Sequence, residues 1–364
     1  PSQPAPAVLE LRPSGPSQPA PAVLELRPSG PSHLQISLFI PIRACGIQFY
    51  RLASHSARMA SPAASEVYII DASDRYHAVK TLWREIGLPP FDGKAVAVKA
   101  NFNSDDPFPA TTHPDMLEAV LGQIRDAGAG TVRLGERSGM GETRAVLENR
   151  GAVDVAARSG AEVTVLDGLP PEGWEAIPPD GLHWERGFLV ARLFREADAV
   201  VQTCCLKTHR FGGHVSLSLK NLVGAVAARD PGNGYNYMAE LHASTHQRRM
   251  IAEISRFCPC DIAFMDATEG FSTGGPERGT RIAPNVILAS TDRVALDAAG
   301  IALLRHYGST PDVMRGRIFA MDPIARAVEL DIGVRSAQDL RLVALDSESK
   351  DLVLDLRRIL DETA

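Results

Sequence analysis

The stretch CCLKTHRFGGHVSLSLKNLVG, residues 204–224, gathers two thiols, two imidazoles, two lysines and an arginine around a Gly-Gly pair. Lys207, His209, Arg210 and His214 lie within eight residues, and Lys220 and Asn221 follow at the start of a segment with helical character. Two kinds of chemistry suit such a set. Cations beside glycines that can expose successive backbone amides, followed by a helix amino terminus, make a place for phosphate or carboxylate. On this reading Lys207, Arg210, Lys220 and Asn221 hold the anion, and His209 or His214 is the acid or base, because imidazole titrates near neutral pH. The plainer reading is a solvated basic turn that balances nearby acids. Metal is the other chemistry, with His209, His214 and Cys204 or Cys205 as donors. Their spacing matches no paired-cysteine zinc pattern, and adjacent strand residues face opposite ways, so inert buried thiols are the simpler account.

The elements around this stretch have to position it. ADAVVQT (197–203) reads as a strand buried on both faces. Other strands are expected at 66–72, 94–101, 131–137, 161–167, 261–267, 285–291 and 340–345. Helices are expected at 74–88, 113–128, from about Thr143, at 241–257, at 292–308 and near 314–330; the region 168–192 shows no period. Strands alternating with helices predict an α/β fold: a doubly wound, mostly parallel sheet with helices on both faces. Ligands of such sheets lie outside the carboxyl ends of the strands. Those ends supply Lys99 and Asn101, then Glu136, Arg137 and Ser138, then the cationic stretch, then Asp266, Thr268 and Glu269, and last Ser290 and Asp292. Lys99, Asn101, Arg137 and Asp266 join the ligand-binding set. Glu269 joins the catalytic set and, with Asp266, would orient a cation or basic partner. His113 precedes a helix as its cap, or as a ligand contact. His242 and His246 stand four apart, where a polar helix face is the simpler account.

Composition narrows the classes. The chain has 364 residues, 45% hydrophobic and 23% charged, with a net charge of −6. That balance, with 6% aromatic residues and no aromatic–basic stripe, speaks against nucleic acid as a partner. No apolar run is long enough for a membrane span. Five cysteines form no secreted disulfide framework, and a reducing cytoplasm is the expected location. PSQPAPAVLELRPSG at 1–15 recurs unchanged at 16–30. Residues 1–58 therefore read as a repeat-containing extension, disordered or not native coding sequence, ahead of a single α/β domain at 59–364. Two acids and five bases lie in that extension, so the remaining 306 residues carry −9.

The ordered segments VAVKANFN, TTHPDMLEAVL, GERSG, LKTH with its glycine pair and SLKN, MDATEGFSTGGPERG and VILASTDRVALDAAG resemble the family called domain of unknown function 362. The resemblance covers roughly 66–345 and implies the α/β fold already argued. Relatives with an added ferredoxin-like module carry C-x₂-C-x₂-C-x₃-C runs. This chain has none, so no iron–sulfur cluster is expected, and a divalent metal is the cofactor left open. A looser likeness to the amino-terminal domain of lactate racemases rests on an apolar strand, a basic histidine turn and a lysine at a helix start. The residues together point to an enzyme that binds a small carboxylate or phosphate compound. The alternative is a non-catalytic accessory protein that carries a metal or cofactor.

Overall fold

The computed structural model describes residues 24–28, 34–38 and 64–362. The chain forms two units, Pro1–Met59 and Ala60–Ala364. In the first, β1 (Leu24–Pro28) and β2 (Leu34–Leu38) pair antiparallel. The rest of the 1–58 extension, and the expectation made for it, lie outside the described residues.

The second unit contains β3 (Ser65–Asp71), β4 (Ala95–Lys99), β5 (Thr131–Glu136), β6 (Glu162–Val165), β7 (Trp174–Ile177), β8 (Phe188–Ala191), β9 (Ala199–His209), β10 (His214–Val215), β11 (Ile262–Gly274), β12 (Gly279–Ile282), β13 (Val286–Ser290) and β14 (Leu340–Ala344). Ten of these strands make one sheet, ordered β14-β3-β13-β11-β9-β4-β5-β6, with β10 beside β9 and β12 beside β11. The central pairs β11–β9, β9–β4, β4–β5 and β5–β6 are parallel, as is β14–β3. The mostly parallel sheet is thus as expected. β13 is the exception, antiparallel to both β3 and β11. Its carboxyl end, with Ser290 and Asp292, therefore lies on the edge opposite the one that β4, β5 and β9 present. There Asp292 caps the helix Arg293–His306 by accepting from the Val294 and Ala295 amides.

Helices cover both faces. One buried cluster joins Val98, Val201 and Phe264 of the sheet to Leu82 and Leu117 of the helices Arg75–Ile86 and Pro114–Asp126. The other joins Ala97, Cys204 and Met265 to Ile251 of the helix Gln247–Ser255 and to Leu296 and Ile301 of Arg293–His306. The first helix begins where Asp74 accepts from the Tyr76 and His77 amides, and ends at Gly87, which takes a left-handed conformation (φ 66°). No helix among the described residues is long and apolar enough to cross a membrane.

Three departures bear on the site. β9 does not stop at Thr203 but runs on through His209, with all eleven residues buried. Lys207 and His209, expected on a turn, lie within the strand. The cause is pairing on its flank: β11 runs alongside as far as Phe271 opposite Lys207, and β10 folds back to set His214 opposite His209. Backbone partners there outweigh the polarity of the side chains. Second, the segment after β10 is helical only over Ser218–Asn221 and tightens into a 3₁₀ turn at Leu222–Ala225. Third, the span expected as one helix at 241–257 is two, Tyr237–Ala243 and Gln247–Ser255. The unassigned region 168–192 contains the two-stranded ladder of β7 and β8.

Candidate functional site

At the carboxyl ends of β4, β5 and β9, Lys99, Asn101, Glu136, Arg137, His209, Lys220 and Asn221 line a crevice of about 40 Å³. It shares Asn103, Arg137, His209, Lys220, Val223 and Pro276 with an outer cavity of about 910 Å³. Seven of the residues singled out in the sequence thus meet around one inner space.

Lys99 and Glu136 end neighbouring parallel strands. Lys99 Nζ donates to Glu136 Oε2 at 2.7 Å and to the Ala100 carbonyl at 2.6 Å. Burial pushes the Glu136 carboxyl up to about 7 and pushes the Lys99 amine down, while the ion pair opposes both shifts. Glu136 Oε1 is buried and has no hydrogen-bond partner. Arg137 spends its donors on carbonyls: Nε on Val226 at 2.8 Å, Nη2 on Val223 at 2.7 Å and Nη1 on Ser138 at 3.3 Å. It pins the 3₁₀ turn against the end of β5. Gly224 in that turn admits the lysine, since a Cβ there would lie 2.9 Å from Lys99 Cε.

Lys207, Asn101 and Asn221 form a directed chain. Lys207 Nζ donates to Asn101 Oδ1 at 2.7 Å and to the Ala110 carbonyl; Asn101 Nδ2 donates to Asn221 Oδ1 at 3.1 Å; Asn221 Nδ2 donates to the Thr203 carbonyl at 3.1 Å. Lys207 is completely buried and lines neither cavity, so it braces the site rather than meeting a ligand. Burial holds its amine below the ordinary lysine value.

His209 and Lys220 are different. The His209 ring is buried, and its Nδ1 has no hydrogen-bond partner. Burial first, then the Lys220 and Lys207 charges, hold this imidazole far below its ordinary value, so it is neutral. Half-buried Lys220 has no ion pair or side-chain hydrogen bond among the described residues. Burial, then Lys207 and Arg137, bring its amine down to about 8. Gly213 leaves room for both groups beside it: a Cβ there would stand 2.9 Å from Lys220 Cε and 3.0 Å from His209 Nδ1.

Several expectations are corrected. The start of the helix Ser218–Asn221 is not open to an external anion, because Asp297 fills it: Oδ1 accepts from the Ser218 amide at 2.8 Å and Oδ2 from the Leu219 amide at 3.0 Å. Arg210 is neutralised by Glu277 and also donates to the Gly275 carbonyl at 3.1 Å. His214 lines neither cavity, and its Nε2 lies 3.9 Å from Asp312. Asp266 pairs with Arg75 at 2.9 Å, and Glu269 pairs with Arg281 at 3.0 Å, both away from the crevice. His113 takes the capping role of its two expected ones, accepting from the Asp115 amide at 3.2 Å at the start of the helix Pro114–Asp126, and lines neither cavity. Cys204 and Cys205 alternate along β9, and burial pushes the first thiol well up and the second up to about 12. Neither comes together with His209 and His214, and among the described residues no group of three or more His, Cys, Asp or Glu side chains could hold a metal ion.

Sequence reasoning missed the walls of the outer cavity, which include Asn103, Met140, Leu169, Trp174, Phe211 and Met238. Phe211 within a basic turn is the one visible signal, since an aromatic ring beside Arg210 and two glycines has no helix or strand face to fill. Trp174 and Leu169 come from the region that lacks periodicity.

Residues 96–302 match the family described as Domain of unknown function (DUF362). No curated protein matches the chain. Among solved structures it is similar to the lactate racemase apoprotein from Thermoanaerobacterium thermosaccharolyticum, at 15% identity and a TM-score of 0.39. That likeness covers 63% of this chain and 55% of the other, and carries no argument about activity.

Proposed function

The chain belongs to the family described as domain of unknown function DUF362, and from that premise we propose that it binds a small carboxylate or phosphate compound in this crevice and acts on it by acid–base chemistry. One observation carries the reading: Lys220, a cation without a counter-ion among the described residues, and the unpartnered Nδ1 of His209 line the same crevice on either side of Gly213. A buried polar atom without a partner is costly, and an unpaired ammonium at a cavity wall raises the local positive potential. A bound anion relieves both. Lys220 is the anchor. His209 is the proton-transfer group, and its low affinity for a proton rises when an anion offsets the Lys220 charge. Glu136 Oε1 accepts from a donor on the ligand. Lys99 and Asn221 position these groups and do not touch the reacting atoms. For the alternative, a non-catalytic carrier of a metal or cofactor, no group of three or more His, Cys, Asp or Glu side chains among the described residues could hold a metal ion.

Thermal unfolding with sulfate, phosphate and small carboxylates at low ionic strength tests the binding. A ligand of the native state adds about 2.7 kcal/mol at a hundredfold excess over Kd. Lys220→Ala should lose that shift and Arg210→Ala should keep it. If no anion shifts the wild type, or if Lys220→Ala keeps the full shift, the reading fails. Turnover of a panel of carboxylates and phosphate esters, abolished by His209→Ala, tests the chemistry.

A further inference from the structure

We infer that the ligand of this site is an acid with an apolar or aromatic body, rather than a compact anion or a polyhydroxylated phosphate. The inference rests on the anion reading above and deepens it. The inner crevice, at about 40 Å³, has room for a head group only, whereas the adjoining cavity, at about 910 Å³, is of the size that encloses a drug-sized molecule. Acetate or phosphate alone would leave that larger space to water.

The walls define what fills it. Met140, Leu169, Trp174, Phe211, Val223 and Met238 line the outer cavity. Met140 and Phe211 are 42% and 47% exposed, among the few large apolar side chains that the described residues leave open to water. Two such side chains on one concave wall mark a surface meant to be covered. Charge complementarity fixes the orientation, with the acid at Lys220 and the body along the apolar wall.

Half of the polar side chains of the same cavity are engaged elsewhere. Arg137 bonds three carbonyls. Asp167 accepts from Thr143, Asn236 caps the helix Tyr237–Ala243, and His242 Nδ1 faces the Met238 carbonyl at 2.6 Å. Besides Lys220 and His209, Asn103, the Trp174 indole N–H and exposed Arg229 are left along the wall. A sugar phosphate would bring several hydroxyls to a wall with few free partners, and each unmet hydroxyl would lose its hydrogen bonds to water.

Matched ligands test this by calorimetric titration of the full chain: inorganic phosphate against phenyl phosphate, acetate against phenylacetate, and glucose 6-phosphate as the polyhydroxylated arm. Burying the ring should make each aryl ligand bind roughly tenfold tighter, or more, than its compact partner. Met140→Ala, at an exposed position where folding is not at stake, should weaken the aryl ligands several-fold and leave inorganic phosphate unchanged; Phe211→Ala, whose ring also packs edge-on against His209, should weaken the aryl ligands more than phosphate. Lys220→Ala should weaken all of them. Equal affinity for phosphate and phenyl phosphate, glucose 6-phosphate as the tightest ligand, or apolar variants that leave the aryl ligands untouched would each overturn the inference while the anion site stands. If no anion binds, compact or aryl, the anion site itself is refuted and the inference with it.

Discussion

Asp297 reaches across from the helix Arg293–His306 to place one carboxylate oxygen 2.8 Å from the Ser218 amide and the other 3.0 Å from the Leu219 amide. The first turn that carries Lys220 is therefore held by an internal anion, and Lys220, two residues on, is left to face the cavity. Asp297→Ala strands both buried amides and should cost about 1–3 kcal/mol for each in denaturant unfolding. Burial raises the Asp297 carboxyl from 3.8 to about 7, although the two amides favour its charge. The folded state then holds this proton longer than the unfolded state, so the contribution of Asp297 to stability falls as pH rises from about 4 to about 7. The stability difference between wild type and Asp297→Asn should shrink over that window; a difference that grows would contradict it.

Lys220 gives the binding reaction its pH dependence. Its amine is brought down to about 8, and only the charged form attracts an anion. Sulfate, which does not itself titrate in this range, should bind most tightly at low pH and lose some affinity as the Glu136 carboxyl, raised to about 7 in the same crevice, ionises. Above about 8 the affinity should fall, approaching tenfold per pH unit as the proton taken up becomes part of the reaction. Lys220→Arg keeps its charge throughout and should flatten the profile. A wild-type profile that stays level to pH 10 would show that Lys220 is not the anchor.

Lys207 is the control that separates bracing from binding. It is buried, it holds Asn101 and the Ala110 carbonyl, and its charge is one of those that lower Lys220. Lys207→Met preserves length and apolar volume while removing the charge. The variant should still bind sulfate, and the pH at which its affinity breaks should move up. Complete loss of binding in a folded Lys207→Met protein would place Lys207 among the ligand contacts.

The crevice is legible in the sequence, because the apolar runs at 94–101 and 131–137 end in Lys99 and Glu136, and parallel neighbours bring such ends together. Which cations face the cavity is not legible. Lys207 finds the Ala110 carbonyl 97 residues away, Arg210 finds Glu277 67 residues away, and Ser218 finds Asp297 79 residues away. Local spacing cannot encode those partners, and they decide that of Lys207, Arg210 and Lys220 only Lys220 is left without a hydrogen-bond or ion-pair partner among the described residues. The direction of β13 is hidden for a related reason: VILAS is an apolar run that reads the same in either orientation, and Ser290 and Asp292 were drawn to the wrong edge by that symmetry.

Gly213 offers the most local test. It is not in the left-handed region, so alanine there brings no backbone strain, only a methyl group 2.9 Å from Lys220 Cε and 3.0 Å from His209 Nδ1. The lysine end can swing away, whereas the histidine is fixed in β9. Gly213→Ala should therefore cost little stability, no more than about 1–3 kcal/mol if the methyl is poorly accommodated. It should remove most of the sulfate-induced thermal shift by pushing the ammonium out of the crevice. Gly212→Ala is the counterpart: it meets Gln247 Oε1 at 2.5 Å and requires a left-handed backbone (φ 80°), so it should lower the baseline stability more and the relative anion shift less. If Gly213→Ala kept its sulfate shift, the position of Lys220 beside Gly213 would have no part in binding, and the anion would have to be sought elsewhere along the outer cavity.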